Sequence, residues 1–125
     1  MNSKLKMGTA LACGVVIGAF GIDSIRAQAK PPGYIIVEFE VTDAVGWKTY
    51  TEGTRAMPSS GGTFLARASK GTGLAGEKPK TITIVQYPSV EDAIAFDSSP
   101  AYVALKPIRD KSSNWRSYVV EGLPR

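Results

Sequence analysis

The side chains of this sequence that could do chemistry are carboxylates, phenols and guanidinium groups. The chain has no histidine and a single cysteine. An imidazole haem ligand, a histidine general base, serine–histidine catalysis and the usual zinc sites are therefore excluded. The remaining candidates for a ligand pocket are Glu38, Tyr50, Arg67, Tyr102 and Arg109. They form no recognisable catalytic set, so the sequence predicts no metal, no cofactor and no particular reaction.

Arg67 is the polar group of greatest interest, because it stands midway along a predicted strand. A guanidinium there could hold a ligand carboxylate through two parallel hydrogen bonds. The alternative is a structural role, in which Arg67 pairs with Glu38 or Glu40 across the sheet or reaches the rim of a dimer. Glu38 and Glu40 likewise have a structural alternative, in which each is a solvated or ion-paired residue of its strand.

The aromatic candidates have a structural interpretation as well. Trp47, Tyr50 and Tyr102 stand at helical spacing with other apolar residues, which favours core packing over a ligand cage. Arg109 lies near a predicted helix end, where arginine typically caps backbone carbonyls.

Period-two alternation of apolar residues predicts four strands that position these groups. The strands are Tyr34–Val41, Thr63–Ser69, Thr81–Tyr87 and Trp115–Glu121. On the first strand, the odd-numbered residues form one apolar face. The other face starts apolar at Tyr34 and Ile36 and ends acidic, which indicates a second covering layer or partner. On the second strand, alternation places Arg67 opposite Phe64.

Two helical regions separate the strands. Asp43 is an N-cap for a helix to about Met57, whose internal glycines indicate that packing or close backbone approach holds it. Ser89 starts a helix to Asp97. The pair Ser99-Pro100 then restarts the helix, and Pro107 is expected to kink or end it.

The element order is strand, helix, strand, strand, helix, strand, which is the split βαβ or ferredoxin-like arrangement of the α+β class. It predicts one four-stranded antiparallel sheet with both helices on one face. The other face would then be bare, and a second copy of the same sheet is the simplest cover for it.

Residues 1–29 read as a signal peptide. Lys4 and Lys6 precede the uncharged apolar run Met7–Ile22, and Ala27-Gln28-Ala29 is a small-x-small cleavage pattern. We therefore expect cleavage between Ala29 and Lys30, a periplasmic or secreted location, and residues 30–125 as a single domain. An uncleaved N-terminal membrane anchor is the alternative.

The single cysteine, Cys13, is not expected to be a lipoprotein attachment site, because the apolar run before it is short and continues beyond it. Cleavage would leave no cysteine and hence no disulfide.

The charge balance of the predicted domain excludes one class of partner. Removing residues 1–29 takes away Lys4, Lys6, Arg26 and Asp23, which leaves 12 basic and 10 acidic residues of the 15 and 11 in the chain. No cluster of lysine and arginine remains that could follow a phosphate backbone. Nucleic acid is therefore not an expected partner, nor is a membrane after cleavage.

The region from Gly33 to Gly122 resembles the small bacterial family called domain of unknown function 1330, within the dimeric α+β barrel superfamily. The segments that carry the resemblance are Gly33–Glu38, Tyr50, Pro58, Gly61–Arg67, Tyr87–Glu91, Ser99–Tyr102, Arg109 and Val119–Gly122. The sequence departs from the family where two glycines usually follow the arginine, since it has Ala68-Ser69 there. It also has Phe96-Asp97 where an aromatic pair is usual.

The resemblance implies a homodimer in which two sheets face one another, and it implies no established activity. The main expectation is an exported dimer that binds a small anionic or aromatic molecule between helices and sheet. The wider superfamily includes cofactor-independent monooxygenases and isomerases. By that analogy the alternative is such an enzyme, with Glu38 or Tyr50 as its base.

Overall fold

Residues 30–125 fold into one antiparallel sheet with three helices. The computed structural model describes residues 30–125, of which Pro31–Pro124 form a compact unit, so the predicted signal peptide and Cys13 lie outside the described residues. The strands are β1 (Gly33–Val41), β2 (Thr63–Ser69), β3 (Thr81–Tyr87) and β4 (Ser113–Glu121). The helices are α1 (Ala44–Arg55), α2 (Val90–Asp97) and α3 (Pro100–Ser112). No helix in this part of the chain is long and apolar enough to cross a membrane.

The sheet has the strand order β2-β3-β1-β4, with every neighbouring pair antiparallel. The central strand β1 pairs with β3 from Gly33 to Phe39 and with β4 from Gly33 to Val41. Ile36 therefore lies opposite Ile84 on one side and Tyr118 on the other. This order and connectivity confirm the predicted ferredoxin-like α+β fold.

The helices pack on one face of the sheet. Val37 and Phe39 of β1 are buried on that face, where the Phe39 ring stacks on Trp47 of α1. The opposite face carries the even-numbered residues of β1 and their neighbours, and no other described element covers it. Tyr118 and Val120 on β4 are accordingly 43% and 42% exposed. The expected bare face is therefore present.

Local capping explains where the first two helices begin. The carboxylate of Asp43 accepts a hydrogen bond from the Val45 amide at 3.1 Å. The Ser89 hydroxyl accepts from the Asp92 amide at 3.1 Å and donates to the Asp92 carboxylate at 2.9 Å. Each cap satisfies an amide that has no partner within its helix.

Glycines in α1 allow α3 to pack closely against it. A Cβ built on Gly53 would lie 2.6 Å from Leu105, and one on Gly46 would lie 3.0 Å from the Ser112 Cβ. The structure therefore shows the close approach to α3 that was one of the two explanations for these glycines.

The largest differences from the predicted boundaries are at the end of α3 and the start of β4. The helix does not end at Pro107 but continues to Ser112. The Pro107 ring is exposed, so it loses one backbone hydrogen bond without disturbing the packed side, where Arg109 and Ser112 are buried. Strand β4 then begins directly at Ser113, two residues earlier than expected, with no intervening loop.

Candidate functional site

A cleft of about 650 Å³ lies between the helices and the sheet. This volume is within the range of small-molecule sites, roughly 300–1,000 Å³. We call it the helix–sheet cleft. Its apolar and aromatic lining includes Ile35, Val37, Phe39, Trp47, Tyr50, Phe64, Val85, Tyr87, Phe96, Tyr102 and Trp115.

The aromatic rings of this lining, apart from Phe64, form one continuous cluster. Phe39 and Trp47 stack with ring centroids 4.9 Å apart, and Tyr50 lies 5.0 Å from Trp47. Trp115 lies 5.8 Å from Phe39 and meets Tyr50 edge-on at 5.9 Å. These distances are those of favourable ring pairs. The rings expected to pack in the core therefore also form the wall of the cleft.

A hydrogen-bonded row of three polar groups closes the buried end of the cluster. Arg109 Nη1 donates to Tyr102 Oη at 3.3 Å, and Tyr102 Oη lies 2.8 Å from Tyr50 Oη. The Arg109 guanidinium also stacks 4.7 Å above the Trp115 ring and donates through Nε to Asp110. Arg109 thus holds a phenol and an indole in place rather than capping carbonyls.

The protonation states of this row follow from its surroundings. Burial, and then the neighbouring Tyr102, raise the pKa of Tyr50 far above its ordinary value. Burial acts to lower the pKa of Arg109, but the hydrogen bonds with Asp110 and Tyr102 outweigh it and raise that pKa. At neutral pH Tyr50 is therefore a protonated phenol and Arg109 a cation.

A β-bulge brings Arg67 into the cleft. The pairing of β2 with β3 shifts between Phe64 and Ala66 and again between Ala66 and Ser69, and Ala68 adopts a left-handed φ of 45°. Arg67 consequently lies on the same side as Phe64, with its guanidinium carbon 4.5 Å from the ring centroid. The expected alternation is wrong here, because a bulge inserts unpaired residues and changes the face of those that follow.

Arg67 forms no ion pair within residues 30–125. The expected pairing with Glu38 or Glu40 therefore does not occur within the described chain. Arg55, at the end of α1, also lines the cleft without an ion pair in this region. Among the described residues, the one carboxylate in the lining is that of Asp97, which Lys106 holds at 2.9 Å. The polar edge of the cleft is consequently cationic.

Glu38 lies on the opposite face of the sheet. Its carboxylate accepts from Arg116 Nη2 at 2.6 Å and from Tyr118 Oη at 2.9 Å. The hydrogen bonds from Arg116 and then Tyr118 hold the pKa of Glu38 below its ordinary value. Glu38 is therefore an ionised, internally paired group that does not line the cleft.

The structure thus brings together three of the five predicted site residues and places a fourth behind them. Tyr50, Arg67 and Tyr102 line the cleft, Arg109 supports Tyr102 from the far side, and Glu38 is separate.

Sequence reasoning missed Arg55, Phe64 and Trp115 as lining residues. Arg55 carried a usable signal, since it stands eight residues after Trp47 and therefore on the same helix face.

Comparisons with known proteins agree with this fold. The model of one protein family, the domain of unknown function (DUF1330), matches residues 32–123. A protein of unknown function from Rhodopseudomonas palustris is similar in structure, with a TM-score of 0.59, 16% identity, and coverage of 83% of this chain and 92% of that chain. Curated proteins give no significant match.

Two further solved structures show a weaker likeness. A dimeric protein of unknown function and ferredoxin-like fold from Bacteroides fragilis has a TM-score of 0.48 and 16% identity, covering 72% of this chain and 95% of that one. A dimeric ferredoxin-like protein of unknown function from Thermobifida fusca has a TM-score of 0.47 and 13% identity, covering 74% and 92%.

Proposed function

This chain belongs to the family described as domain of unknown function (DUF1330), and for this member we propose that the helix–sheet cleft binds a small anionic molecule with an aromatic or apolar body. The observation that carries the proposal is the Arg67 guanidinium, which lines an aromatic cleft and forms no ion pair within residues 30–125. A cation beside apolar walls matches a ligand with an acidic group on an aromatic body.

The charge at the edge of the cleft supports an anionic rather than a neutral ligand. Arg55 and Arg67 are both uncompensated within the described chain, whereas Asp97 is neutralised by Lys106. A carboxylate bound beside these guanidinium groups gains charge-assisted hydrogen bonds, each worth about 1.5–3 kcal/mol when well formed. Because Arg67 is exposed, we expect a contribution at the lower end of this range.

A charge comparison with matched probes tests the proposal. Naphthalene-2-carboxylate and its uncharged carboxamide are titrated by calorimetry against the full chain, the Arg67→Met variant and the Lys48→Met variant. Lys48 is an exposed residue of α1 outside the cleft, so its replacement makes the same change in net charge. We expect the parent protein and Lys48→Met to prefer the carboxylate, and Arg67→Met to bind it about tenfold more weakly.

Each contrary result has a definite meaning. Equal affinity of Arg67→Met and the parent protein for the carboxylate would refute the role of the arginine. Failure of both probes to bind the parent protein would refute the cleft as a site for aromatic anions.

We also propose that the bare face of the sheet is the interface of a homodimer. Its apolar surface is formed by Ile36, Ile82, Ile84, Tyr118 and Val120, which the sheet register places on one side. Its Glu38 carboxylate is already paired with Arg116 of the same chain. Burying this face against a second copy would cover apolar surface without leaving that carboxylate unpaired.

The oligomeric state checks this interface. Ile36→Lys places a charge at the centre of the face and is expected to give a monomer by light scattering at micromolar concentrations. Val103→Lys, at an exposed position on α3, is the matched control and should leave a dimer. A monomeric parent protein, or a dimeric Ile36→Lys variant, would rule out this interface.

The third element of the proposal is export to the periplasm or beyond. It is supported by the basic start, the apolar run Met7–Ile22 and the Ala27-Gln28-Ala29 pattern. Intact mass and N-terminal sequencing of protein from the periplasmic fraction should give a chain that begins at Lys30. Recovery of full-length protein in the membrane fraction would instead favour the anchored alternative.

No observation favours the oxygenase or isomerase alternative over binding. Of the two groups considered as its base, Glu38 is paired on the other face and Tyr50 is a phenol of raised pKa.

A further inference from the structure

The hydrogen-bonded row at the buried end of the helix–sheet cleft has a direction. Arg109 Nη1 lies 3.3 Å from Tyr102 Oη, and the guanidinium group can only donate. Tyr102 Oη must therefore accept this hydrogen bond. Its own proton is then free to be donated elsewhere, and Tyr50 Oη lies 2.8 Å away.

The two possible directions for the tyrosine pair differ in how the hydrogen bonds are shared, because either direction leaves one hydroxyl proton without a partner within the described residues. If Tyr50 donated to Tyr102, the Tyr102 oxygen would accept twice and its own proton would have no partner within the described residues. If Tyr102 donates to Tyr50, each phenol oxygen accepts one hydrogen bond, and the proton left without a partner in the described region is that of Tyr50. The Tyr102 hydroxyl is also the stronger donor, because a hydrogen bond accepted from a cation polarises its O–H bond.

We propose that this row makes the Tyr50 hydroxyl a directed hydrogen-bond donor for a ligand, so that the cleft takes an aromatic anion with an additional oxygen acceptor such as a carbonyl. The inference rests on the proposed function and adds a second polar contact to that of Arg67. With Tyr102 as its donor, Tyr50 Oη keeps its own proton, and its side chain lines the cleft.

The burial of Tyr50 supports this role. Its side chain is 6% exposed, and Tyr102 beside it is 5% exposed. The raised pKa of Tyr50 keeps the phenol protonated at neutral pH, so it acts as a donor and not as an anion. A donor of this kind, held in place by a cation and surrounded by rings, is little screened by water.

The two polar contacts differ in position and in chemistry. Arg67 belongs to the exposed edge strand β2, whereas Tyr50 belongs to the buried side of α1. The ligand class that fits both has its acidic group towards solvent and an uncharged oxygen acceptor inside. A simple aromatic acid would leave the Tyr50 proton without an acceptor, and a ligand with both groups would satisfy it.

The test uses two aromatic acids that differ in one group. 4-Benzoylbenzoate carries a carbonyl where 4-benzylbenzoate carries a methylene, and both have the same rings and carboxylate. We expect the parent protein to bind the benzoyl probe about two- to tenfold more tightly, the range that one neutral hydrogen bond supplies. Tyr50→Phe should abolish this preference while it leaves binding of the benzyl probe within about twofold.

Two further variants separate the donor from general effects. Tyr102→Phe keeps the Tyr50 hydroxyl but removes its orienting partner, so the benzoyl preference should fall. Tyr34→Phe removes a hydroxyl from the other face of the sheet and should keep the preference of the parent protein. Binding of the benzyl probe shows in each case that the cleft is intact.

The outcomes distinguish the two proposals. If both probes bind but Tyr50→Phe retains the benzoyl preference, or the parent protein shows none, the donor role is overturned and the cleft function stands. If neither probe binds the parent protein, the proposed function is overturned and this inference with it.

Discussion

Replacing Tyr102 by phenylalanine should destabilise the protein more than the same replacement of Tyr50. Tyr102→Phe removes two hydrogen bonds, one to Tyr50 at 2.8 Å and one from the Arg109 guanidinium at 3.3 Å. It also leaves a donor of the buried Arg109 without its acceptor. Tyr50→Phe removes only the first of these hydrogen bonds.

The hydrogen-bond energies set the magnitudes. A neutral hydrogen bond contributes about 1 kcal/mol, and one from a charged group about 1.5–3 kcal/mol. The long Arg109 contact belongs at the lower end of that range, so we expect Tyr102→Phe to cost about 2–3 kcal/mol and Tyr50→Phe about 1 kcal/mol. Because the two substitutions share one hydrogen bond, the double variant should cost about 1 kcal/mol less than their sum.

Urea unfolding followed by circular dichroism measures these differences. All variants are compared at one protein concentration, because self-association would otherwise shift the apparent stability. Tyr87→Phe is the matched control, since Tyr87 is 3% exposed and its hydroxyl has no hydrogen-bond partner in the described region. It should change the free energy of unfolding by less than about 0.5 kcal/mol. Equal costs for Tyr50→Phe and Tyr102→Phe, or additive costs in the double variant, would refute the directed row.

Three further predictions concern the backbone and pH. Ala68→Gly should leave the free energy of unfolding unchanged or raise it by up to about 1 kcal/mol, because φ at Ala68 is 45°. The control Ala66→Gly, in the same strand, should lower it by about 0.5–1 kcal/mol in urea unfolding. Gly33→Ala should lower the free energy of unfolding by at least about 2 kcal/mol, since its Cβ would lie 2.6 Å from a backbone oxygen. Gly71→Ala should be nearly neutral, and equal urea midpoints for the two variants would contradict this prediction. Burial raises the pKa of Tyr87 to about 12, so the unfolded chain loses this proton at lower pH than the folded chain. The free energy of unfolding should therefore fall as the pH rises from about 10 to about 12, and it should fall less steeply in Tyr87→Phe.

Features that depend on near neighbours in the chain could be predicted from the sequence. The caps at Asp43 and Ser89 form between residues two or three positions apart, and the strands follow from alternation. The restart of the helix at Ser99-Pro100 is likewise a local signal. From these elements the order of the fold, and hence the bare sheet face, follows.

The contacts that define the cleft depend on residues far apart in the chain. Tyr50 and Tyr102 are separated by 52 positions, and nothing local to either indicates that their hydroxyls meet. Glu38 could be placed on its face by alternation, but its pairing with Arg116 depends on the register of β1 against β4. Candidate residues could therefore be named from the sequence, whereas their grouping required the structure.

The position of Arg67 shows how a bulge in one strand can decide a site. Alternation alone sends its side chain to the face of Leu65, and the bulge in β2 moves it to that of Phe64. The left-handed conformation that follows occurs at Ala68. Alanine adopts this conformation at a cost of about 1 kcal/mol or more, so the surrounding contacts must favour it. One of these is the hydrogen bond that the Ala68 amide donates to the Thr83 hydroxyl at 3.0 Å, which ties β2 to β3 immediately after Arg67.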